Sequence, residues 1–259
     1  MTCTLPITQA ASGGLPDQTT FRRRLTGLTC NDPSRSFGGV TLYAPQTAGG
    51  LVKLIDEEGR EVHRWQLPVR PGRHAVLLAN GNLGYNGSCQ EGPVLYPIWP
   101  LWRGGDFMEV APDGEIVRRH VDPAHHHDAQ WLANGDILYT AAHPLPEEVV
   151  RRLGGAPGAR VYGDVVKQVN RDGETVWEWK SWEHLRPEDF PTQPVFDLQH
   201  WPMINGLWDA RDGLVLMSLR TTSGVIAVRR DTGAVAWVIG QDVLAQQHTP
   251  VELESGNVL

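Results

Sequence analysis

Apolar residues along this chain fall in short alternating runs, not at helical spacing, and Asp/Gly or Asn-Gly pairs interrupt the runs at regular intervals. Period-two alternation marks a half-buried strand, and such pairs supply the positive-φ residues a tight hairpin needs. One phrase of strand, turn and strand recurs four times, over residues 51–65, 107–120, 165–179 and 225–239. Its turn glycines, Gly59, Gly114, Gly173 and Gly233, are 55, 59 and 60 residues apart. Ahead of such hairpins lies a second phrase, a short apolar strand closed by a turn. It spans 74–83 with Asn80-Gly81, 128–138 with Asn134-Gly135 and 249–259 with Ser255-Gly256, with a looser copy at 205–218 around Asp212-Gly213. A repeat of this length, with four short strands and almost no helix, predicts an all-β chain built as a β-propeller of four-stranded blades. About four and a half units are present. An irregular segment is expected over 1–38 and the propeller over 39–259. Residues 254–259 stop inside the repeated phrase, so the propeller is expected to be incomplete at its C-terminal side and the chain to be a fragment, since a half blade would leave open edges.

Composition narrows this only a little. The 259 residues suffice for one large core, and 28 Gly and 19 Pro suit a chain of many turns. The ten Trp suit packing between twisted sheets, and Trp65, Trp177, Trp179 and Trp237 at hairpin ends read as core. A net charge of −7 argues against a nucleic-acid or anionic-membrane partner. Arg22-Arg23-Arg24 reads as a solvated stretch. Cys3, Cys30 and Cys89 have no metal-ligand spacing, and their odd number does not suggest a disulfide framework. With no signal-like apolar run in the first thirty residues, the expected location is cytoplasmic.

In a propeller the innermost strand of each blade lines the central channel, so residues at the start of those strands meet whatever their separation in sequence. Here those positions hold Arg73-His74, His126-His127-Asp128, the stretch from His200 to Asn205, and Gln247-His248-Thr249. His127 and His248 each precede their turn by seven residues, which gives them one blade position. Isolated histidines such as His74, His120 and His184 read as ordinary surface or strand-end residues. Two imidazoles at one repeat position point to function.

These residues give the chain a resemblance to the bacterial arylsulfotransferases. The matching stretches are His125-His126-His127-Asp128 with the following Leu-Ala-Asn-Gly-Asp-Ile-Leu, then Trp201-Pro202-Met203-Ile204-Asn205. After them come Leu216-Met217-Ser218-Leu219-Arg220, Ala236-Trp237-Val238-Ile239-Gly240 and Gln247-His248-Thr249. The resemblance covers roughly 39–259 and implies a six-bladed propeller that moves a sulfuryl group from a phenolic sulfate donor to a phenolic acceptor. It implies His248 as nucleophile, passing through a sulfohistidine, with Arg220 binding sulfate and His127 as flanking acid and base. Asn205 would hold the sulfuryl oxygens, with His126, His200 and Trp201 as further substrate contacts. It implies no cofactor and no metal. The chemistry is coherent: neutral imidazole attacks without prior deprotonation, and a planar five-donor guanidinium suits a sulfuryl group. One position departs from the family, which usually has a histidine two residues before the asparagine; here it is Met203. The family is also typically exported.

Two rival readings use the same residues. His126, His127, Asp128, His200 and His248 have the chemical types of a metal site in a propeller hydrolase, isomerase or lyase, although neighbouring histidines on a straight strand face opposite ways. A binding platform is the other, with aromatics such as Tyr96, Trp99 and Trp102 holding a partner.

Overall fold

In the computed structural model, which describes Leu28 and residues 30–259, each predicted hairpin forms the outer half of an antiparallel sheet. The segment expected over 1–38 falls mostly outside the described residues. The first sheet has three strands, β1 (Val40–Tyr43), β2 (Leu51–Asp56) and β3 (Glu61–Gln66). The second runs in chain order through β4 (Pro71–Leu77), β5 (Leu83–Ser88), β6 (Gly105–Val110) and β7 (Ile116–Val121). The third repeats that order with β8 (His125–Trp131), β9 (Ile137–Pro144), β10 (Tyr162–Val169) and β11 (Thr175–Lys180), and the two-residue β12 (His200–Trp201) pairs in parallel with the start of β10. The fourth comprises β13 (Ile204–Asp209), β14 (Leu214–Leu219), β15 (Gly224–Arg229) and β16 (Val235–Ile239). Helix among the described residues amounts to α1 (Trp99–Trp102), α2 (Glu147–Arg152), α3 (Ser181–His184) and a single 3-10 turn at Arg211–Gly213.

Burial explains the two kinds of strand. The middle strands β5 and β6 are buried along their whole length, while β7, with the sequence IVRRHV, carries solvent-facing residues throughout. A strand covered on both faces and flanked on both edges excludes water completely; an outer strand does not. The sheets then stack on one another. Val52 and Trp65 of the first pack against Leu83, Tyr85, Met108 and Val110 of the second. Phe107 of the second meets Ile137 and Tyr139 of the third. Val166 and Trp179 of the third meet Ile204, Leu207 and Val215 of the fourth. Each fully buried side chain of this kind contributes about 1.5–3 kcal/mol. The inner strand β8 lies beside β4 on one flank and β13 on the other, as neighbouring blades of a propeller require.

A repeated polar clamp accompanies the apolar packing. The carbonyl three residues before the turn glycine accepts a hydrogen bond from the preceding sheet in three of the units. Trp65 donates its indole N–H to Ala111, Arg118 a guanidinium N–H to Asn170, and Trp177 its indole N–H to Arg230. Trp179 adds a bond to the carbonyl of Gly233 itself. Trp65, Trp177 and Trp179 therefore act as packing and as directional ties; Trp65 and Trp179 are buried, and Trp177 and Trp237 only partly so. Cys89 is a buried free thiol, and Cys30 is disulfide-bonded, a pairing the odd cysteine count did not suggest.

Candidate functional site

Three inner strands break register near their starts. In β4 the pairing jumps from Pro71↔Gly87 to His74↔Asn86, so Gly72 and Arg73 are extra. In β8 it jumps from His125↔Ala141 to Ala129↔Tyr139, setting three residues, His126 to Asp128, opposite Thr140 alone. In β13 Asn205 is extra between Ile204↔Leu219 and Gly206↔Ser218. Bulges of this kind re-aim side chains and favour functional sites. The break in β8 is sharp, because His127 adopts a left-handed backbone with φ 54°. The strand bends there, and the two neighbouring rings, which would face opposite sides of a straight strand, lie with their Nδ1 atoms 2.9 Å apart.

Arg73, His127, Asn205 and His248 all line one pocket of about 280 Å³, together with His74, Asp128, Leu207, Trp208 and Thr249. All four stand seven residues before their turns, at Asn80, Asn134, Asp212 and Ser255. The count that singled out His127 and His248 would therefore have found Arg73 and Asn205 in their own copies of the phrase. His74 also lines the pocket, which corrects its reading as an ordinary surface or strand-end residue; its place beside Arg73 at the start of an inner strand was the signal.

Several contacts place His248 at the mouth. Asn205 donates its amide N–H to the Gln247 carbonyl at 2.9 Å, and Ser218 Oγ donates to the same oxygen at 3.0 Å. The Gln247 amide in turn donates to the carbonyl of Gly224 at 2.7 Å. Gly206 gives this segment room: a Cβ there would stand 2.5 Å from the Thr249 nitrogen. Across the pocket Asp128 accepts the Leu207 N–H at 2.8 Å, tying β8 to β13.

Partial burial, Arg220 and Arg73 together lower the pKa of His248, and Asp128 opposes them. Burial, then the neighbouring His126, Arg73 and His200, hold His127 well below the ordinary histidine value. Burial pushes the Asp128 carboxyl upward, against the Leu207 N–H and His74. The pocket thus combines neutral imidazoles with nearby cationic charge.

Behind it lies a second, sealed cluster. His126, Asp164 and His200 are fully buried or nearly so. Each histidine brings Nε2 to 3.1 Å from Asp164 Oδ1. Nδ1 of His126 is 2.9 Å from Nδ1 of His127, and Nδ1 of His200 is 3.0 Å from the Tyr96 hydroxyl. Burial alone would raise the Asp164 carboxyl, but His200 and His126 hold it well below the usual range. His125 plays a different part, with Nδ1 at 2.7 Å from the Thr140 carbonyl, Nε2 at 2.7 Å from the Asn86 amide, and a pKa lowered to about 3 by burial and by His126.

The sequence-derived residues consequently separate. His127, Asn205 and His248 share the pocket. Arg220 is not among the lining residues; its guanidinium lies 4.8 Å from the Phe196 ring, and its charge acts on His248. His126 and His200 belong to the sealed cluster, and Trp201 is buried with its indole N–H donated to the Phe190 carbonyl at 2.8 Å. Met203, where the resemblance leads one to expect a histidine, is buried, has φ 58°, and accepts the Arg220 N–H on its carbonyl at 2.9 Å. Asp164 escaped the sequence reading altogether, since it is a lone aspartate in the middle of an apolar strand. Among the described residues no helix is long and apolar enough to cross a membrane.

Among solved structures the chain is similar to a protein of unknown function from Bacteroides caccae, at 12% identity and a TM-score of 0.51, over 85% of this chain and 64% of that one. It is also similar to the hydrazine synthase of Kuenenia stuttgartiensis (14% identity, 78% of this chain and 51% of that one, TM-score 0.46). A third is virginiamycin B lyase from Staphylococcus aureus (9% identity, 85% and 68%, TM-score 0.47). The chain thus spans less than two thirds of the length of the first two. No curated protein matches its sequence. The family described as arylsulfotransferase (ASST) matches residues 103–254, more than half of the chain and a stretch that holds His127, Asn205, Arg220 and His248. The chain belongs to the arylsulfotransferase family.

Proposed function

We propose that this chain carries the sulfuryl-transfer site of an aryl-sulfate sulfotransferase, with His248 as nucleophile. The observation that carries the reading is the convergence of Arg73, His127, Asn205 and His248, all at one repeat position, on a single pocket with cationic charge beside it. A nitrogen of neutral His248 attacks sulfur, the S–O bond to the donor breaks with its electron pair leaving on the phenolate, and an N–S bond forms. The acceptor oxygen then attacks sulfur, the N–S bond breaks, and the imidazole is restored; the acceptor's proton balances the one taken up by the departed phenolate. Arg73 and Arg220 favour the anionic sulfuryl group, as preorganised donors do wherever charge develops. His127, held by His126, offers a hydrogen bond to the leaving oxygen.

A pocket of about 280 Å³ lies just below the range of small-molecule sites, roughly 300–1,000 Å³. It suits donor and acceptor entering in turn, which predicts ping-pong kinetics. The test is release of 4-nitrophenolate from 4-nitrophenyl sulfate with phenol as acceptor. Release that requires phenol, with a sulfated protein trapped when phenol is withheld, supports the reading. His248→Ala should lose at least about 10³-fold in kcat and trap no sulfate. Unchanged turnover in that variant would sink the assignment.

A further inference from the structure

We propose that His126, Asp164 and His200 form a structural binding site for one divalent transition-metal ion, zinc in the first instance, sealed behind the substrate pocket. The ligand atoms come from three places in the fold: the bulge of β8, the interior of β10 and the short strand β12 that pairs beside it. They lie within 4.8 Å of one another, and both Nε2–Oδ1 separations are 3.1 Å. Ligands held about 2.0–2.2 Å from a tetrahedral zinc stand roughly 3.3–3.5 Å apart, close to those two edges.

Proximity alone does not separate a metal site from an ion trio; the unmet polar atoms do. His126 Nε2, His200 Nε2 and Asp164 Oδ2 are buried and make no hydrogen bond, although both imidazoles lie so near the carboxylate. Each Nε2 lies 3.1 Å from Oδ1 without meeting hydrogen-bond geometry there. An unmet buried polar atom costs about 1–3 kcal/mol, and three together are a heavy burden for one cluster.

The surroundings also match a metal's outer partners. A ligating histidine normally gives its other ring nitrogen a hydrogen-bond partner, and a ligating carboxylate is itself hydrogen-bonded. His200 Nδ1 has the Tyr96 hydroxyl, His126 Nδ1 has His127, and Asp164 Oδ1 accepts the Ile204 N–H at 3.0 Å. Two imidazoles with one carboxylate favour zinc or another first-row ion over magnesium or calcium, which take oxygen ligands. With the ion on Nε2, His126 keeps its proton on Nδ1 and donates it to His127. The ion would thereby tie β8, β10 and β12 together and orient the ring that faces the pocket. The proposal stands or falls apart from the sulfuryl-transfer reading.

Untagged chain is purified without added metal and analysed by elemental mass spectrometry. The expected result is about one equivalent of zinc or another first-row divalent ion, retained through gel filtration and in His248→Ala. Stripping with dipicolinate should lower Tm, and one equivalent of zinc chloride should restore it by at least about 5 °C. Asp164→Asn and His200→Gln should hold less than a tenth of the wild-type metal and lose the zinc-dependent rise. Should the variants fail to fold, X-ray absorption on the wild type decides: two imidazoles and a carboxylate oxygen near 2.0–2.2 Å support the site. A thiolate shell, an all-oxygen shell, loss of metal in His248→Ala, or a metal-free wild type whose Tm ignores zinc would each overturn it and leave a metal-free ion trio.

Discussion

His248 is reactive only as the neutral imidazole, and its surroundings favour that form. Partial burial, Arg220 and Arg73 all penalise the protonated ring, and Asp128 only partly restores it. Because the folded pKa is depressed, the reactive fraction persists as pH falls past the ordinary histidine value of about 6.5. The acid limb of kcat/KM is therefore expected below that value. Arg73→Gln removes one penalty and should move the limb upward toward it, whereas a limb unmoved by the substitution would deny the charge its effect at His248. Arg220→Ala should cost about 10²–10³ in kcat if the guanidinium meets the developing charge. At this scale the sequence was partly transparent. The turn-minus-seven count exposed His127 and His248, and it applied equally to Arg73 and Asn205. What a sequence cannot display is a histidine with φ 54°, because most left-handed positions fall to glycine. Strict alternation therefore says that His126 and His127 face opposite sides, whereas at the bulge their rings touch, His126 in the sealed cluster and His127 on the pocket. Asp164 was silent for a different reason, since its partners come from two other elements.

Strands and hairpins were legible because each has a local cause. Every outer hairpin has a glycine with φ between 71° and 95° at its turn, and these four glycines set the period. Less legible was how closely the elements touch, and Gly206 illustrates it. The residue sits on β13 beside the segment that carries His248, and an added Cβ would stand 2.5 Å from the Thr249 nitrogen and 2.7 Å from its Cα. Backbone cannot swing aside as a side chain can, so Gly206→Ala should displace the nucleophile's segment while sparing the sheet. The expected outcome is a fall in kcat/KM on the order of 10- to 100-fold, as for a misplaced reacting group, with Tm lowered by only a few degrees. Equal activity in this variant would mean that the segment is positioned some other way. Stability at the same scale depends on the indole clamps. Trp179→Phe keeps the ring's apolar bulk but strands the buried Gly233 carbonyl, which should cost about 1–3 kcal/mol in urea unfolding. Trp177→Phe, at a partly exposed site, should cost less.

For the molecule as a whole, net charge and local field have opposite signs, and substrate binding distinguishes them. The chain carries −7, which by itself repels an aryl sulfate. Yet two arginines bear on His248, and Arg73 stands on the pocket wall. A concave site with low-dielectric walls concentrates the field of its own lining, whereas charges beyond roughly 8–10 Å are screened at moderate salt. The propeller makes this separation possible, because its repeat brings one residue from each inner strand to a common point while the acidic turns lie on the outer hairpins. If the local field governs, raising sodium chloride from about 0.05 to about 0.5 M should raise KM for 4-nitrophenyl sulfate by about 3- to 10-fold, with little change in kcat. Arg73→Gln should then show a higher KM at low salt and a flatter dependence. If the net charge governs instead, added salt would relieve repulsion and lower KM. The sign of the salt effect therefore tells whether the convergence of the inner strands, or the bulk acidity of the chain, decides which ions reach the pocket.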